Sequence, residues 1–186
     1  MKTKSFAAPS ANRPLEYYEF ERREPGETDV EIEVHYCGVC HSDFNTARGE
    51  CGETGYPCVP GHEITGIVTR IGNKVTRFKP GDRVGVGCMV NSCGTCEACK
   101  SGFENSCFNE TIWTYGSRDP VDGENTKVGY STIIVVPEHF VLRLPDSLDM
   151  AKTAPLLCAG ITTYSPLMYW QVGPGKKGGS LSFFIC

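Results

Sequence analysis

The sequence predicts a mainly β domain with a few short helices, built as a partly open barrel. Short β-branched segments alternate with polar residues, and Gly- and Pro-containing turns separate them. Four closely spaced cysteines sit inside a stretch of weak apolar periodicity, which marks an excursion from the barrel. With 186 residues, 40% hydrophobic and 22% charged, the chain has the composition of a protein with a packed core.

Residues 1–28 carry Pro9, Pro14, Pro25 and Gly26, which predicts an initial hairpin or edge strands ending in a turn. Val30, Ile32 and Val34 alternate with Glu31, Glu33 and His35, the period of a half-buried strand with the acids and the histidine facing outward. Ile64 to Ile71 forms the next strand, followed by a turn at Gly72-Asn73 and by Val75 to Phe78. Lys79-Pro80-Gly81-Asp82 reads as a tight turn, since proline presets φ and glycine accepts a positive one. Further strands are expected over Arg83 to Gly87, Tyr130 to Val136 and Phe140 to Leu144. Helices are expected over Ser42 to Arg48, over Asp149 to Leu157, and over Ala159 to Tyr169 with an interruption or kink at Pro166.

Charge and targeting signals exclude several function classes. The formal charge is −4, so neither nucleic acid nor an anionic membrane is an expected partner. No apolar run reaches the roughly 18–20 residues of a membrane helix, and no apolar segment follows the basic N-terminus. A cytoplasmic location is the expectation. In that reducing setting eleven cysteines argue for metal ligation over a disulfide framework.

Cys93, Cys96, Cys99 and Cys107 are spaced C-x2-C-x2-C-x7-C. Four thiolates on one tight loop suit a closed, structural, tetrahedral zinc site. An iron–sulfur run would need a fourth cysteine three residues on and a proline after it; here the gap is seven and Phe108 follows. A second set is dispersed: Cys40 in Cys37-Gly38-Val39-Cys40-His41-Ser42-Asp43, His62 and Glu63 in Gly61-His62-Glu63, and Cys158 in Leu156-Leu157-Cys158-Ala159-Gly160. Taken singly each is weak, but together they supply the two cysteines and one histidine of a catalytic zinc with an open fourth position.

These motifs, in this order, resemble the zinc-dependent medium-chain alcohol dehydrogenases, within them the cinnamyl alcohol dehydrogenase branch. Cys37 to Asp43, Pro60-Gly61-His62-Glu63 with Gly66 and Gly72, the four-cysteine lobe, Ile112-Trp113-Thr114-Tyr115 and Ala154 to Tyr164 carry the likeness, which runs from about residue 5 to Lys177. It implies a GroES-like catalytic domain over residues 1–172 with a zinc lobe at about 88–110, and a segment 173–186 standing where a Rossmann domain would begin. It implies a catalytic zinc on Cys40, His62 and Cys158, with Glu63 as an exchangeable ligand or a carboxylate just behind, and a structural zinc on the four-cysteine lobe. Asp43 would orient the His62 ring and Ser42 would pass the substrate proton. His41 would lie near the phosphates of NADP(H), Thr162 near its nicotinamide, and Trp113 and Cys88 on the substrate side. His35 and His139 fall in no motif and are assigned structural roles.

Two positions depart from the family. Asn45 stands where many relatives have a histidine that completes a proton relay, and Cys51 where an aromatic residue borders the pocket. Gly173-Pro174-Gly175-Lys176-Lys177-Gly178 matches G-x-G-x-x-G literally, but no strand–helix context surrounds it, so it is not a dinucleotide fingerprint. The expected activity is interconversion of primary, aromatic or allylic alcohols and aldehydes with NADP(H), incomplete in this chain. The alternative is a non-catalytic zinc-binding protein without a nicotinamide site. Apolar residues between Pro155 and Trp170 predict self-association.

Overall fold

The computed structural model describes residues 1–52 and 54–179, so the expected aberrant tail lies outside the described residues from 180 onward. Strands β1 (Lys2–Ala7) and β2 (Glu16–Glu21) form the initial hairpin. β1 alternates strictly, turning Thr3, Ser5 and Ala7 inward and leaving Phe6 exposed. β3 (Asp29–Cys37) follows, then helix α1 (His41–Ala47), β4 (Ile64–Ile71) and β5 (Arg83–Val86). β6 (Met89–Ser92) leads into a lobe containing α2 (Glu97–Lys100), and β7 (Thr111–Trp113) leads out of it. β8 (Tyr115–Arg118) and β9 (Asn125–Lys127) make a small hairpin before β10 (Ile133–Pro137) and β11 (Leu142–Arg143). The chain then enters α3 (Met150–Thr153), a 3-10 turn over Ala154–Leu157, and α4 (Ala159–Tyr169).

The central sheet runs β10-β3-β4-β5-β11 with every neighbour antiparallel. Among the described residues β10 and β11 stay unpaired with each other, which leaves the barrel open. The first hairpin leans on the β10 side through Phe6 N–H to the Tyr130 carbonyl, 3.0 Å, and Thr132 N–H to the Lys4 carbonyl, 2.9 Å. Val30, Ile32, Ile64, Val68, Val84, Val86, Ile134 and Val136 converge from four strands into one core, joined by Phe78, Val90, Ile112 and Val128. Burying each such aliphatic side chain is worth about 1.5–3 kcal/mol.

The structure departs locally from the sequence reading. Val75 to Phe78 is irregular, although Phe78 is buried in the core. The strand expected from Tyr130 starts at Ile133, and the one expected from Phe140 shrinks to two residues behind a 3-10 turn, Glu138–Phe140. The helix after Ser147 begins only at Met150, capped by Asp149 Oδ1 accepting from Lys152 N–H at 3.0 Å, and ends at Thr153 where Pro155 forces the 3-10 turn. α4 continues through Pro166 uninterrupted and lies exposed along its length. Glu31, expected on the outer face, is buried and accepts from the Thr69 hydroxyl at 2.7 Å beside Arg70. Gly173 to Gly178 contains a turn and no helix.

The register of the sheet places the chemistry. Cys37 pairs with Ile64 and Ile64 with Val86, so the end of β3, the start of β4 and the end of β5 lie side by side. Cys40, His62-Glu63 and Cys88 therefore leave the sheet at one end. Thr65 donates its hydroxyl to the Met150 carbonyl at 3.1 Å, holding α3 against β4. A side chain at Gly85 or Gly87 would stand 3.0 Å from Leu157, which brings Cys158 to the same end.

Replacing fully buried Ile64 with alanine should lower stability by about 2–5 kcal/mol in urea unfolding. Replacing Ile161, exposed on α4, should change it by less than about 0.5 kcal/mol.

Candidate metal centres

One donor of each of Cys93, Cys96, Cys99 and Cys107 lies within 4.8 Å of all the others. The Cys93–Cys99, Cys96–Cys99 and Cys96–Cys107 sulfur separations are 3.9, 3.5 and 3.9 Å. Four thiolates about 2.3 Å from one zinc would stand about 3.8 Å apart, close to these three separations, so the lobe suits that ion. Backbone N–H groups of Thr95 and Cys96 point at the Cys93 sulfur at 3.5 and 3.4 Å, and that of Phe108 at Cys96 at 3.4 Å. The Thr95 N–H, then the Cys96 N–H and the Thr95 hydroxyl, bring the Cys93 thiol down to about 5. The Ser92 hydroxyl favours the Cys99 thiolate, but burial and the Cys96 sulfur outweigh it and hold Cys99 at about 11. An ion that displaces its proton resolves this crowding of sulfurs.

The second group joins Cys40, His62, Glu63 and Cys158, again with donors mutually within 4.8 Å. Cys40 precedes the first turn of α1, His62 and Glu63 lead into β4, and Cys158 follows the 3-10 turn. Asp43, 3% exposed, organises it. One carboxylate oxygen accepts from Gly61 N–H at 2.8 Å and from His62 Nδ1 at 2.9 Å; the other accepts from Cys40 N–H at 2.9 Å and from the Tyr130 hydroxyl at 3.2 Å. Because a carboxylate has no proton to give, the hydrogen sits on Nδ1 and Nε2 is left as the ligating nitrogen. Burial alone would raise Asp43, but the His62 imidazole and the two backbone N–H groups keep it below the ordinary carboxylate value. Burial likewise lowers the His62 ring, and Asp43 more than restores it.

The thiols of this group respond to their partners. Burial raises Cys40, yet the Ser42 hydroxyl, 3.4 Å away, its backbone N–H and His62 bring it below the usual thiol value. Burial and the neighbouring Cys88 sulfur push Cys158 far up, and burial raises Glu63 despite His62. Three soft or borderline donors plus a carboxylate that disfavours its own charge suit a zinc site with one exchangeable position. Gly38 leaves room for it: a Cβ there would meet Glu63 Oε2 at 1.9 Å.

Ser42 and Asp43 thus stand with the ligands. His41 is exposed at the start of α1, its ring 6.5 Å from Phe44, and Thr162 is exposed one turn past Cys158; neither is among the gathered donors. Trp113 is 41% exposed, so it is not core, and Cys88 is half-buried, its thiol raised chiefly by burial. His35 lies 3.6 Å from Glu33, and His139 bonds to Glu104 at 2.6 Å. Asn45 is half-buried on α1, and Cys51 is exposed beyond it. Sequence reasoning assigned no role to two hydroxyls: Tyr130, and Tyr115, whose oxygen lies 2.8 Å from His62 Nδ1. Only the fold brings them there, and no spacing in the sequence signals it.

A family model described as the alcohol dehydrogenase GroES-like domain matches residues 26–146. The chain is 55% identical over 180 residues to the aldehyde reductase YahK of Escherichia coli (strain K12), covering 96% of this chain and 51% of that protein. It superposes with a TM-score of 0.92 and 44% identity on CAD from Helicobacter pylori complexed with NADP(H), covering 95% of this chain and 51% of that one. With a cinnamyl alcohol dehydrogenase from Sorghum bicolor the TM-score is 0.91 and the identity 46%, over 95% and 50% of the two chains. The chain spans about half the length of the relatives it matches. No helix among the described residues is long and apolar enough to cross a membrane.

Native mass spectrometry of protein prepared without chelator should show two zinc ions per chain. Cys107→Ser and Cys158→Ser should each lose one, and loss of neither would contradict the two donor groups. In the zinc-loaded chain, iodoacetamide at pH 8 should label exposed Cys51, while Cys37 and Cys58, pushed by burial to about 12 and about 11, should stay unlabelled.

Proposed function

The chain belongs to the alcohol dehydrogenase family through its GroES-like domain, and on that premise we propose that it is the zinc-binding catalytic domain of an NADP(H)-linked alcohol dehydrogenase or aldehyde reductase acting on primary, aromatic or allylic alcohols. The observation that carries this reading is the buried Cys40–His62–Glu63–Cys158 donor group with the Ser42 hydroxyl 3.4 Å from its first sulfur.

Cys40, His62 and Cys158 would hold the zinc, which would supply Lewis-acid polarisation of the substrate oxygen. Ser42 Oγ is placed to take the hydroxyl proton of an alcohol, or to return one to the oxygen of an aldehyde, and a bound nicotinamide would accept or supply the hydride. Asp43 keeps the His62 ring from turning. Glu63, buried and with its charge disfavoured, offers a carboxylate that can enter and leave the site. Asn45 has no group that titrates near neutral pH, so a proton leaving Ser42 would pass to water and not to a side chain at 45. His41 and Thr162, both exposed on this domain, are the positions assigned to NADP(H). The cytoplasm is the assigned compartment.

The chain substituted with Co2+ provides a test that needs no cofactor. Titration with benzyl alcohol should shift the visible d–d bands of the Cys2His site, and Cys158→Ser should abolish the shift. Bands that ignore the alcohol would sink the reading. Where turnover with NADP(H) is measured, Ser42→Ala should lower it by about 10²–10⁴-fold with zinc content unchanged.

A further inference from the structure

Asp43 is the carboxylate on which the His62 ligand depends, and two tyrosines from elsewhere in the fold reach the same atoms. The Tyr130 hydroxyl, from the segment between β9 and β10, donates to Asp43 at 3.2 Å. Tyr115, the first residue of β8, places its oxygen 2.8 Å from His62 Nδ1, the nitrogen that also meets Asp43. Its ring meets the imidazole edge to face, with centroids 5.6 Å apart and planes at 68°. We infer that Tyr115 and Tyr130 are positioning residues, which lock the Asp43 carboxylate and the His62 ring in the one orientation that presents Nε2 to a metal.

The geometry explains why two are needed. The Cys40 and Gly61 N–H groups bind one carboxylate oxygen each, which fixes where Asp43 stands. Within that frame the imidazole is tied to Asp43 through the single Nδ1 contact. The Tyr130 hydroxyl takes a further lone pair on the oxygen that faces away from His62, and so opposes a swing of the carboxylate. The Tyr115 hydroxyl, 2.8 Å from His62 Nδ1, gives that nitrogen a second polar partner, so turning the imidazole breaks two contacts and not one.

Tyr115 also has a particular place in the chain. β7 carries the chain out of the four-cysteine lobe, Thr114 N–H then bonds to the Cys88 carbonyl at 3.0 Å, and Tyr115 follows directly. β6, which carries the chain into the lobe, starts just after Cys88. Tyr115 is thereby held over His62 by the two strands that enter and leave the lobe.

This inference rests on the reading of Cys40, His62 and Cys158 as a zinc site, and the experiment separates the two. Zinc transfer from the full-length, zinc-loaded chain to excess 4-(2-pyridylazo)resorcinol is followed for the native protein and for Tyr115→Phe, Tyr130→Phe and the double variant. Cys107→Ser and Cys158→Ser assign the two phases. Removing one hydroxyl should speed the Cys158-dependent phase by about 10–100-fold, with the double variant faster still and the lobe phase unchanged. Phenylalanine keeps each ring, so a change confined to one phase reports positioning and not general loosening. Unchanged rates in both phases, or equal acceleration of both together with a lowered Tm, would overturn the positioning role. If Cys158→Ser leaves zinc content and both phases as in the native chain, the zinc-site reading fails and the inference falls with it.

Discussion

A single buried carboxylate holds the functional end of this protein together. Taking Asp43 out of water costs several kcal/mol unless every lone pair finds a donor. The donors come from three separate stretches: Cys40 ahead of α1, Gly61 and His62 ahead of β4, and Tyr130 ahead of β10. Most of these contacts are not local in the way a helix cap is. The strands must close in their correct register before Asp43 is satisfied, so the arrangement of the ligands and the folding of the sheet are one event. The same requirement shapes the backbone. Gly61 adopts φ +102°, and a Cβ there would lie 2.7 Å from the Gly129 Cα, so only glycine lets the Gly61 N–H reach Asp43 while Tyr130 comes in beside it.

The two cysteine-rich groups illustrate two ways of assembling a metal site. In the lobe, one short stretch of chain and a single turn of helix bring four sulfurs together, and nearby backbone N–H groups stabilise their charge. Such a closed set leaves nothing for a substrate. In the other, ligands from three distant segments meet only because the end of β3, the start of β4 and the turn before α4 lie at one end of the sheet. The resulting group is mixed in charge and hardness. Its Cys40 thiol favours ionisation, while burial opposes ionisation at Cys158 and Glu63. A divalent ion reconciles those opposed tendencies, and an exchangeable carboxylate among its ligands leaves a position that substrate chemistry can use.

What the sequence discloses follows from how local each signal is. Val30, Ile32 and Val34 announce a strand because alternation is a property of neighbours, and the Lys79–Asp82 turn is legible from Pro80 and Gly81 alone. The lobe is equally plain, since its spacing is the site. Glu31 misleads for the same reason: alternation places it outside, but Thr69 and Arg70 across the strand pair make its burial tolerable. Cys40, His62 and Cys158 could be grouped only through the family likeness, because their meeting depends on the Cys37–Ile64 register. The tyrosines lay beyond either route. Tyr115 belongs to a family motif and Tyr130 to a strand-like segment, yet neither spacing nor composition says that their hydroxyls converge on the Asp43–His62 pair.

The most direct measurement is the zinc content of Asp43→Asn by native mass spectrometry. Every group facing the carboxylate is a donor, so an amide NH2 in its place must meet another N–H or O–H wherever it turns. If Asp43 is the joint on which the second centre depends, the variant should keep the lobe's zinc and lose the other. Retention of both ions at native occupancy would show that His62 and its fellow ligands hold their places without the buried charge, and that the second centre does not depend on Asp43.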